Sequence, residues 1–415
     1  MSIFTARWAG IVGRGQALSS GGRDRSGGLS SAVTGKFMNY DCLVIGLGGM
    51  GSSALYHLAR RGLRVCGLDQ FGPAHARGSS HGNFRIFRKA YFEHSDYVPL
   101  LQTAEQLWRQ LESESQVSLY HRIGVLLSGP ADGEAVPGTL AAAEQHGLTV
   151  EVIAPSEAAR RWPLLRFPET HRVVLDADAG ILAVEHCVAQ HLERAAELGA
   201  ETCFYEQVQD WKLNSGSVIV RTDKATRTAE SVVIAGGAWS RSLLSAERTG
   251  VELPPMQVLH KLQLWHTVDR PSRDALSKLP AFYFETENGA FYGMRTGLAE
   301  IKLARHTQGA KITDPSNPGE AAMLAERVPC VEFAGDFLPG INTEPFRTSG
   351  CFYTTSPDGH FIVDHAPECS RIVFATGFSG HGFKFASVIG AALADLATTG
   401  RTNLPIDFLS SRRFQ

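Results

Sequence analysis

The sequence predicts an α/β fold in which a βαβ unit on a parallel sheet is joined to a second, mainly antiparallel domain. Three observations predict it. A glycine-rich turn separates two apolar strands near residue 46, strands rich in aromatic residues follow from about residue 254, and a chain of 415 residues is too long for one simple core. The net charge of −2 offers no basic surface for nucleic acid. No apolar run reaches the about 18 residues that cross a membrane.

Residues 1–37 differ in composition from the rest, because they are rich in Gly, Ser and Arg and contain no continuous apolar segment. We interpret them as a disordered leader or as the result of a start codon assigned too early, with Met38 as the true start. An organelle-targeting presequence is the alternative. Seven cysteines without paired C-x-x-C spacing argue against a disulfide framework and a metal site, so a reducing, cytoplasmic location is expected.

The first unit runs from Asp41 to Asp69 as strand, glycine turn, helix, strand and acid. In its G-x-G-x-x-G pattern, Gly46 permits the tight turn, Gly48 leaves room for a pyrophosphate, and Gly51 lets the helix pack closely on the strand. Asp69 lies about twenty residues past the glycines, where a carboxylate accepts hydrogen bonds from an adenosine ribose. The unit therefore predicts a dinucleotide cofactor with its phosphates at the helix N-terminus.

Three later segments have the composition of site loops. Residues 77–88 are polar and carry one histidine and three arginines. A second glycine turn, residues 235–239, follows a buried strand. Near the C-terminus, the glycine- and serine-rich residues 377–384 run directly into an apolar helix, so their backbone N–H groups face whatever lies before them.

The aromatic strands predict a separate antiparallel substrate domain. Within it, residues 299–306 alternate so that Lys302 lies on the polar face of a strand. If this strand covers a cofactor, Lys302 could point at it; a solvated lysine is the alternative. We assign residues 120–175 and 254–345 to the substrate domain, and residues 38–119, 176–253 and 346–415 to the nucleotide-binding domain.

From about Met38 to Gln415 the chain resembles the monomeric sarcosine oxidase and N-methyltryptophan oxidase family, within the glycine/D-amino acid oxidase class of flavoproteins. Four motifs carry the resemblance: the glycine turn with Asp69, residues 78–88, Cys351 with residues 356–364 after it, and residues 377–385. It implies a Rossmann-type FAD-binding domain and the oxidation of N-methyl amino acids, such as sarcosine or N-methyl-L-tryptophan, to amino acid, formaldehyde and hydrogen peroxide. The closing residues 408–415 favour the N-methyltryptophan branch.

The resemblance also implies roles for individual residues. FAD would be joined covalently to Cys351. His81 and Arg85 would lie against the flavin ring, and Lys302 near N5 would promote the reaction with oxygen. The substrate would be bound through its carboxylate by Arg88 and Lys384 and through its amine side by Tyr292 and His306. The other residues implied to bind FAD are Gly46, Gly48, Gly51, Asp69, Ser79, Gly380, His381, Gly382 and, again, Lys384.

Other functions remain open at this point. The expected function is an oxidase, acting as a monomer on a small amino acid and oxygen. A related oxidase of secondary amines or cyclic imino acids of the pipecolate type is one alternative, and a dehydrogenase that passes electrons to a carrier is another; Lys302 argues against the dehydrogenase. A flavin-containing binding subunit without turnover is a third. The binding-subunit hypothesis is disfavoured by the joint presence of Arg88, Lys384, Lys302 and Cys351.

Overall fold

The computed structural model describes residues 38–245, 252–367 and 369–415, without the side chains of residues 38 and 320–324. These residues form three sheets. Their strands are β1 Met38–Ile45, β2 Val65–Leu68, β3 Phe84–Phe87, β4 Tyr120–His121, β5 Val125–Pro130, β6 Glu151–Ile153, β7 His171–Asp176, β8 Gly180–Ala183, β9 Glu201–Cys203, β10 Val208–Asn214, β11 Ser217–Thr222, β12 Thr226–Ile234, β13 Gln257–Thr267, β14 Ala281–Thr286, β15 Gly289–Arg295, β16 Glu300–Arg305, β17 Ala310–Ile312, β18 Arg347–Thr355, β19 Ile362–Ala366 and β20 Cys369–Thr376.

The helices connect and cover these strands. The α-helices of the described residues are α1 Gly49–Arg60, α2 Tyr97–Ser115, α3 Ala135–His146, α4 Pro155–Arg161, α5 Val184–Glu197, α6 Ser240–Leu243, α7 Arg273–Ser277, α8 Glu320–Phe337 and α9 Ala386–Thr399. Short 3₁₀ helices span Gly237–Trp239, Arg270–Ser272, Phe383–Phe385, Asp407–Leu409 and Ser411–Phe414. Within the part of the chain that the structure describes, no helix combines the length and apolar character needed to cross a membrane.

The eight-stranded sheet contains the predicted βαβ unit. Its path is β10-β11-β12-β1-β2-β9, and β20 and β19 extend it from β12. Strands β1, β2, β9, β12 and β20 run parallel, whereas β10, β11 and β19 join antiparallel. Helices α1 and α9 pack on this sheet and on each other, and α5 packs on α1. The α/β, Rossmann-type fold class is thus confirmed.

The nine-stranded sheet is the predicted antiparallel partner. Its path is β17-β13-β16-β15-β14-β5-β7-β6, with β18 also paired to β13, and all its pairs are antiparallel except β5 with β14. One face packs on α8 through a buried cluster that includes Leu264, Phe291 and Phe333. The other face holds Lys302 and Tyr292. The small third sheet pairs β3 with β8 and β8 with β4.

Two strand pairings cross the predicted division of the chain: β4 pairs with β8, and β18 pairs with β13. β18 belongs to residues 346–415, which we assigned to the nucleotide-binding domain, but it pairs with β13 in the nine-stranded sheet. β18 therefore places Cys351 beside the aromatic strands. The domain boundaries themselves stay a prediction.

Candidate functional site

A cavity of about 270 Å³ connects the glycine turn after β1 with the aromatic strands β15 and β18. Loop residues 78–88, the second glycine turn at 235–239 and the loop 377–384 complete its wall. It therefore brings together segments that are far apart in the chain. The predicted site residues in its lining are Gly46, Gly48, Asp69, Ser79, Arg85, Arg88, Tyr292, His306, Gly380, His381, Gly382 and Lys384.

The glycine turn has the geometry of a phosphate-binding loop. Gly46 has a φ of +88°, and a Cβ there would lie 2.5 Å from the carbonyl oxygen of Ala235. A Cβ on Gly51 would lie 1.7 Å from the Gly46 oxygen, so only glycine allows α1 to start this close to the strand. A Cβ on Gly48 would meet only Ser80 Oγ, at 3.6 Å, which leaves space in front of the helix N-terminus. The turn therefore fits a pyrophosphate.

Asp69 is held rigidly at the end of β2. Its Oδ2 accepts a hydrogen bond from the Leu47 amide at 2.7 Å, and its Oδ1 accepts one from the Phe71 amide at 2.8 Å. His75 Nε2 lies 3.6 Å from Oδ1. The carboxylate lines the cavity while being only 7% exposed. Its remaining acceptor capacity fits the hydroxyl groups of an adenosine ribose, so this end of the cavity fits FAD.

Arg85 joins the cavity wall to a buried polar network. Its Nη2 donates to the Ser79 carbonyl and its Nη1 to Gln263 Oε1, both at 3.2 Å. The same Gln263 oxygen lies 3.4 Å from Lys302 Nζ. Lys302 Nζ also donates to the carbonyls of Gly82 and Phe84, at 2.6 Å each. Burial and the charge of Arg85 lower the pKa of Lys302 well below its usual range.

Three predicted side chains are buried without belonging to the cavity lining: His81, Lys302 and Cys351. Burial and the positive charge of Arg85 lower the pKa of His81 to about 4. Burial raises the pKa of the Cys351 thiol, although Arg85 and neighbouring lysines act against it. Since alternate residues share a strand face, Cys351 lies on the same side of β18 as Tyr353, which lines the cavity. Gly51 also lies outside the lining, behind the turn.

Arg88 forms an ion pair that the sequence did not predict. Its Nη2 lies 2.7 Å from Glu93 Oε2, and its Nη1 donates to the Ala90 carbonyl at 3.0 Å. The guanidinium packs over the rings of Tyr91 and Phe92, with its carbon 4.4 and 4.1 Å from the two ring centres. Burial raises the pKa of Glu93, but the positive charges around it, Arg88 first, outweigh this effect and lower it to about 2. Glu93 is therefore a fixed anion in the cavity.

Lys384, like Arg88, is a buried basic residue that lines the cavity. Its Nζ donates to the His381 carbonyl at 2.9 Å and lies 3.4 Å from the Tyr91 hydroxyl. Burial lowers the pKa of Lys384 to about 7; the charge of Glu93 raises it and that of Arg88 lowers it further. Its ammonium group therefore lacks full compensation by a neighbouring anion.

Neutral aromatic rings surround these charges. The His306 ring centre lies 6.3 Å from that of Tyr292 and 5.8 Å from those of Tyr283 and Tyr353. Burial lowers the pKa of His306 to about 4 and that of His381 to about 3, so both rings are neutral near pH 7. The arrangement can hold an anion near Lys384 and an uncharged amine among the rings.

Fold and site define an FAD-dependent oxidoreductase, and the comparison with protein families agrees: the family described as FAD dependent oxidoreductase matches residues 41–396. The relatives with similar sequences belong to a narrower group of enzymes. The chain is 36% identical to the monomeric sarcosine oxidase of Bacillus sp. (strain NS-129) over 378 residues, covering 90% of this chain and 97% of the relative. It is 33% identical to the N-methyl-L-tryptophan oxidase of Salmonella enteritidis PT4 (strain P125109), covering 88% and 96%.

Solved structures show the same fold. NikD, described as an unusual amino acid oxidase essential for nikkomycin biosynthesis, superposes with a TM-score of 0.80 at 25% identity, covering 90% of this chain and 97% of NikD. The L-proline dehydrogenase of P. horikoshii superposes with a TM-score of 0.74 at 21% identity, covering 91% and 98%. The chain belongs to the FAD-dependent oxidoreductases, in the family of monomeric sarcosine oxidase and N-methyl-L-tryptophan oxidase.

Proposed function

We propose that the protein is an oxidase of N-methyl amino acids, such as sarcosine or N-methyl-L-tryptophan, that releases the amino acid, formaldehyde and hydrogen peroxide. The observation that carries the proposal is the charge arrangement of Arg88, Glu93 and Lys384 in the cavity. Arg88 and Glu93 neutralise each other at 2.7 Å. Protonated Lys384 then leaves one positive charge in excess, which matches one substrate carboxylate.

Burial makes this excess positive charge costly unless a bound anion balances it. The nearby rings of His306 and His381 are neutral and add no further positive charge. A carboxylate at Lys384 would restore the charged state of the lysine and form charge-assisted hydrogen bonds with it. Arg88 can share its guanidinium between Glu93 and the same carboxylate, because it presents five N–H donors. A substrate that carries a carboxylate is therefore favoured over a simple amine.

The same carboxylate contact orients the substrate. When the substrate carboxylate is bound at Lys384, its amine end would lie toward Tyr292 and His306. The substrate would then react from one fixed orientation, which lowers the entropy cost of the reaction. Bound FAD would supply the acceptor for the hydride that leaves the C–H bond next to the amine nitrogen, with oxygen as the final electron acceptor. Arg85 and the helix N-terminus after Gly382 would supply positive charge to the reduced flavin ring.

The finer assignments belong to the same proposal. Cys351 is the proposed covalent link to FAD, and Lys302 the residue that promotes the reaction with oxygen. We also propose the two-domain division given above, a monomeric enzyme and a cytoplasmic location.

A substrate panel tests the proposal. Wild type and Arg88→Ala are assayed for peroxide release with sarcosine, N-methyl-L-tryptophan, pipecolate and dimethylamine. Loss of a charge-assisted contact costs about 1.5 to 3 kcal/mol, so Arg88→Ala should lower kcat/KM roughly ten- to hundred-fold for the carboxylate substrates and little for dimethylamine. Arg77→Ala is the matched control, since Arg77 is an exposed arginine of the same loop.

Each outcome has a definite meaning. Equal oxidation of dimethylamine and sarcosine by wild type would remove the carboxylate from the proposal. Preference for pipecolate over both N-methyl amino acids would identify a cyclic imino acid oxidase instead. Turnover with an added electron carrier but not with oxygen would identify a dehydrogenase.

A further inference from the structure

Two cysteine thiols lie in contact between neighbouring strands of the parallel sheet. Cys66 on β2 and Cys203 on β9 have their sulfur atoms 3.8 Å apart. The two residues are 137 positions apart in sequence, and the parallel pairing of β2 with β9 places them on the same face. Cys66 is fully buried, whereas Cys203 is partly exposed on the terminal strand of its sheet. A small oxidant can therefore reach Cys203 first.

The surroundings of Cys203 favour its thiolate. Arg227 Nη2 lies 3.3 Å from the Cys203 sulfur, and the same guanidinium forms a buried ion pair with Glu206. The hydrogen bond with Cys66, together with the charge of Arg227, lowers the pKa of Cys203, although burial and Glu206 act against it. The same hydrogen bond and burial raise the pKa of Cys66. A partly exposed thiol beside an arginine is the environment in which cysteines react with oxidants.

We propose that Cys66 and Cys203 are a peroxide-reactive thiol pair, in which hydrogen peroxide oxidises Cys203 and Cys66 then closes a disulfide with it. In the first step the Cys203 sulfur attacks one peroxide oxygen, the O–O bond breaks, and a sulfenic acid and one water form. In the second step the Cys66 sulfur attacks the Cys203 sulfur and displaces a second water. The two thiols lose two electrons and two protons, and the peroxide is reduced to two waters.

The pair is connected to the candidate FAD site. The Cys203 carbonyl accepts a hydrogen bond from the Asp69 amide at 3.0 Å, and the Glu206 amide donates to the Asp69 carbonyl at 2.9 Å. The register pairs Cys66 with Glu201 and Leu68 with Cys203, so a disulfide, whose sulfurs lie about 2.0 Å apart, requires β2 and β9 to shift along each other beside Asp69. The inference does not depend on the proposed oxidase activity, because added hydrogen peroxide tests it directly.

Protein with reduced cysteine thiols and bound FAD is treated with stoichiometric hydrogen peroxide, and its peptides are mapped by mass spectrometry. We expect a cross-linked peptide pair containing Cys66 and Cys203, lighter by two hydrogen atoms and restored by dithiothreitol. Cys66→Ser should instead accumulate a sulfenic acid on Cys203 that dimedone traps, because the second thiol is missing. Cys369→Ser is the matched control, since Cys369 is also partly exposed, and it should form the cross-link as wild type does.

The peptide map of wild type shows whether the Cys66–Cys203 cross-link forms, even if a variant folds poorly. Equal rates of oxidation at Cys203 and Cys369 would overturn the inference. Accumulation of sulfinic acid on Cys203 in wild type without the cross-link would also overturn it, because it would show that the Cys66 sulfur does not reach the Cys203 sulfur. Persistence of the same mass loss in Cys203→Ser would assign the chemistry to other thiols.

Discussion

Replacing Lys384 by methionine should weaken the binding of carboxylates in a way that depends on pH. Burial lowers the pKa of Lys384 from 10.5 to about 7, which corresponds to about 5 kcal/mol against the charged form. A bound carboxylate recovers part of this energy, and one charge-assisted contact is worth about 1.5 to 3 kcal/mol. Lys384→Met should therefore raise the Kd of a carboxylate such as propionate roughly ten- to hundred-fold while wild-type Lys384 is protonated.

The direction of the pH dependence follows from the charged state that binds. An anion binds to protonated Lys384, so wild-type affinity is full below about pH 7 and falls as the pH rises above it. The neighbouring groups do not titrate in this range: Glu93 is ionised above about pH 2, and His306 and His381 are neutral above about pH 4. The pKa of Tyr91 lies well above its usual value.

The assay is the change in flavin absorbance on titration with propionate, at about pH 6 and about pH 9, for wild type, Lys384→Met and Lys278→Met. Lys278 is exposed and serves as the matched control. The difference in Kd between wild type and Lys384→Met should be large at the lower pH and small at the higher one. A difference of the same size at both pH values would refute the reasoning, as would an equal loss in Lys278→Met.

Three further predictions concern the covalent link to FAD, the reaction with oxygen and the glycine turn. Cys351→Ser should leave FAD extractable by acid, and a variant that keeps its flavin in the acid precipitate would place the link elsewhere. Lys302→Met should slow reoxidation by oxygen more than reduction by substrate in stopped-flow traces, whereas equal losses would make Lys302 a structural residue. Gly51→Ala should lower Tm by costing about 1 to 3 kcal/mol, because its Cβ would lie 1.7 Å from a backbone oxygen. Gly48→Ala should leave Tm of the apoprotein unchanged and reduce FAD uptake; the reverse pattern in these two variants would contradict the assigned roles of the glycines.

The local pattern of the sequence was enough to predict the βαβ unit. Gly46, Gly51 and Asp69 act through contacts with segments close to them in the chain or through their own backbone conformation, so their spacing carries the information. Lys302 shows the limit of this reasoning. Strand alternation predicts a polar face, but β16 lies between β13 and β15, and Lys302 is fully buried among carbonyl oxygens.

Contacts between residues that approach each other only in the folded protein could not be predicted from the sequence. The sequence shows Glu93 five residues after Arg88, yet nothing in the spacing tells whether the loop turns its carboxylate toward the arginine. The contact of Cys66 with Cys203 depends on the pairing of β2 with β9 across 137 positions. Gln263, which joins Arg85 to Lys302, likewise comes from a strand far from the arginine loop. A glutamate soon after a loop arginine was the one available signal for the missed site residues.

The most direct test of the account is the product balance with oxygen as the only electron acceptor. Purified, FAD-loaded protein is incubated with sarcosine or N-methyl-L-tryptophan in air, and hydrogen peroxide, formaldehyde and the demethylated amino acid are measured together. The account predicts equimolar amounts of the three products from at least one of the two substrates. Substrate oxidation without peroxide, or no reaction with either N-methyl amino acid by protein that retains its FAD, would contradict it.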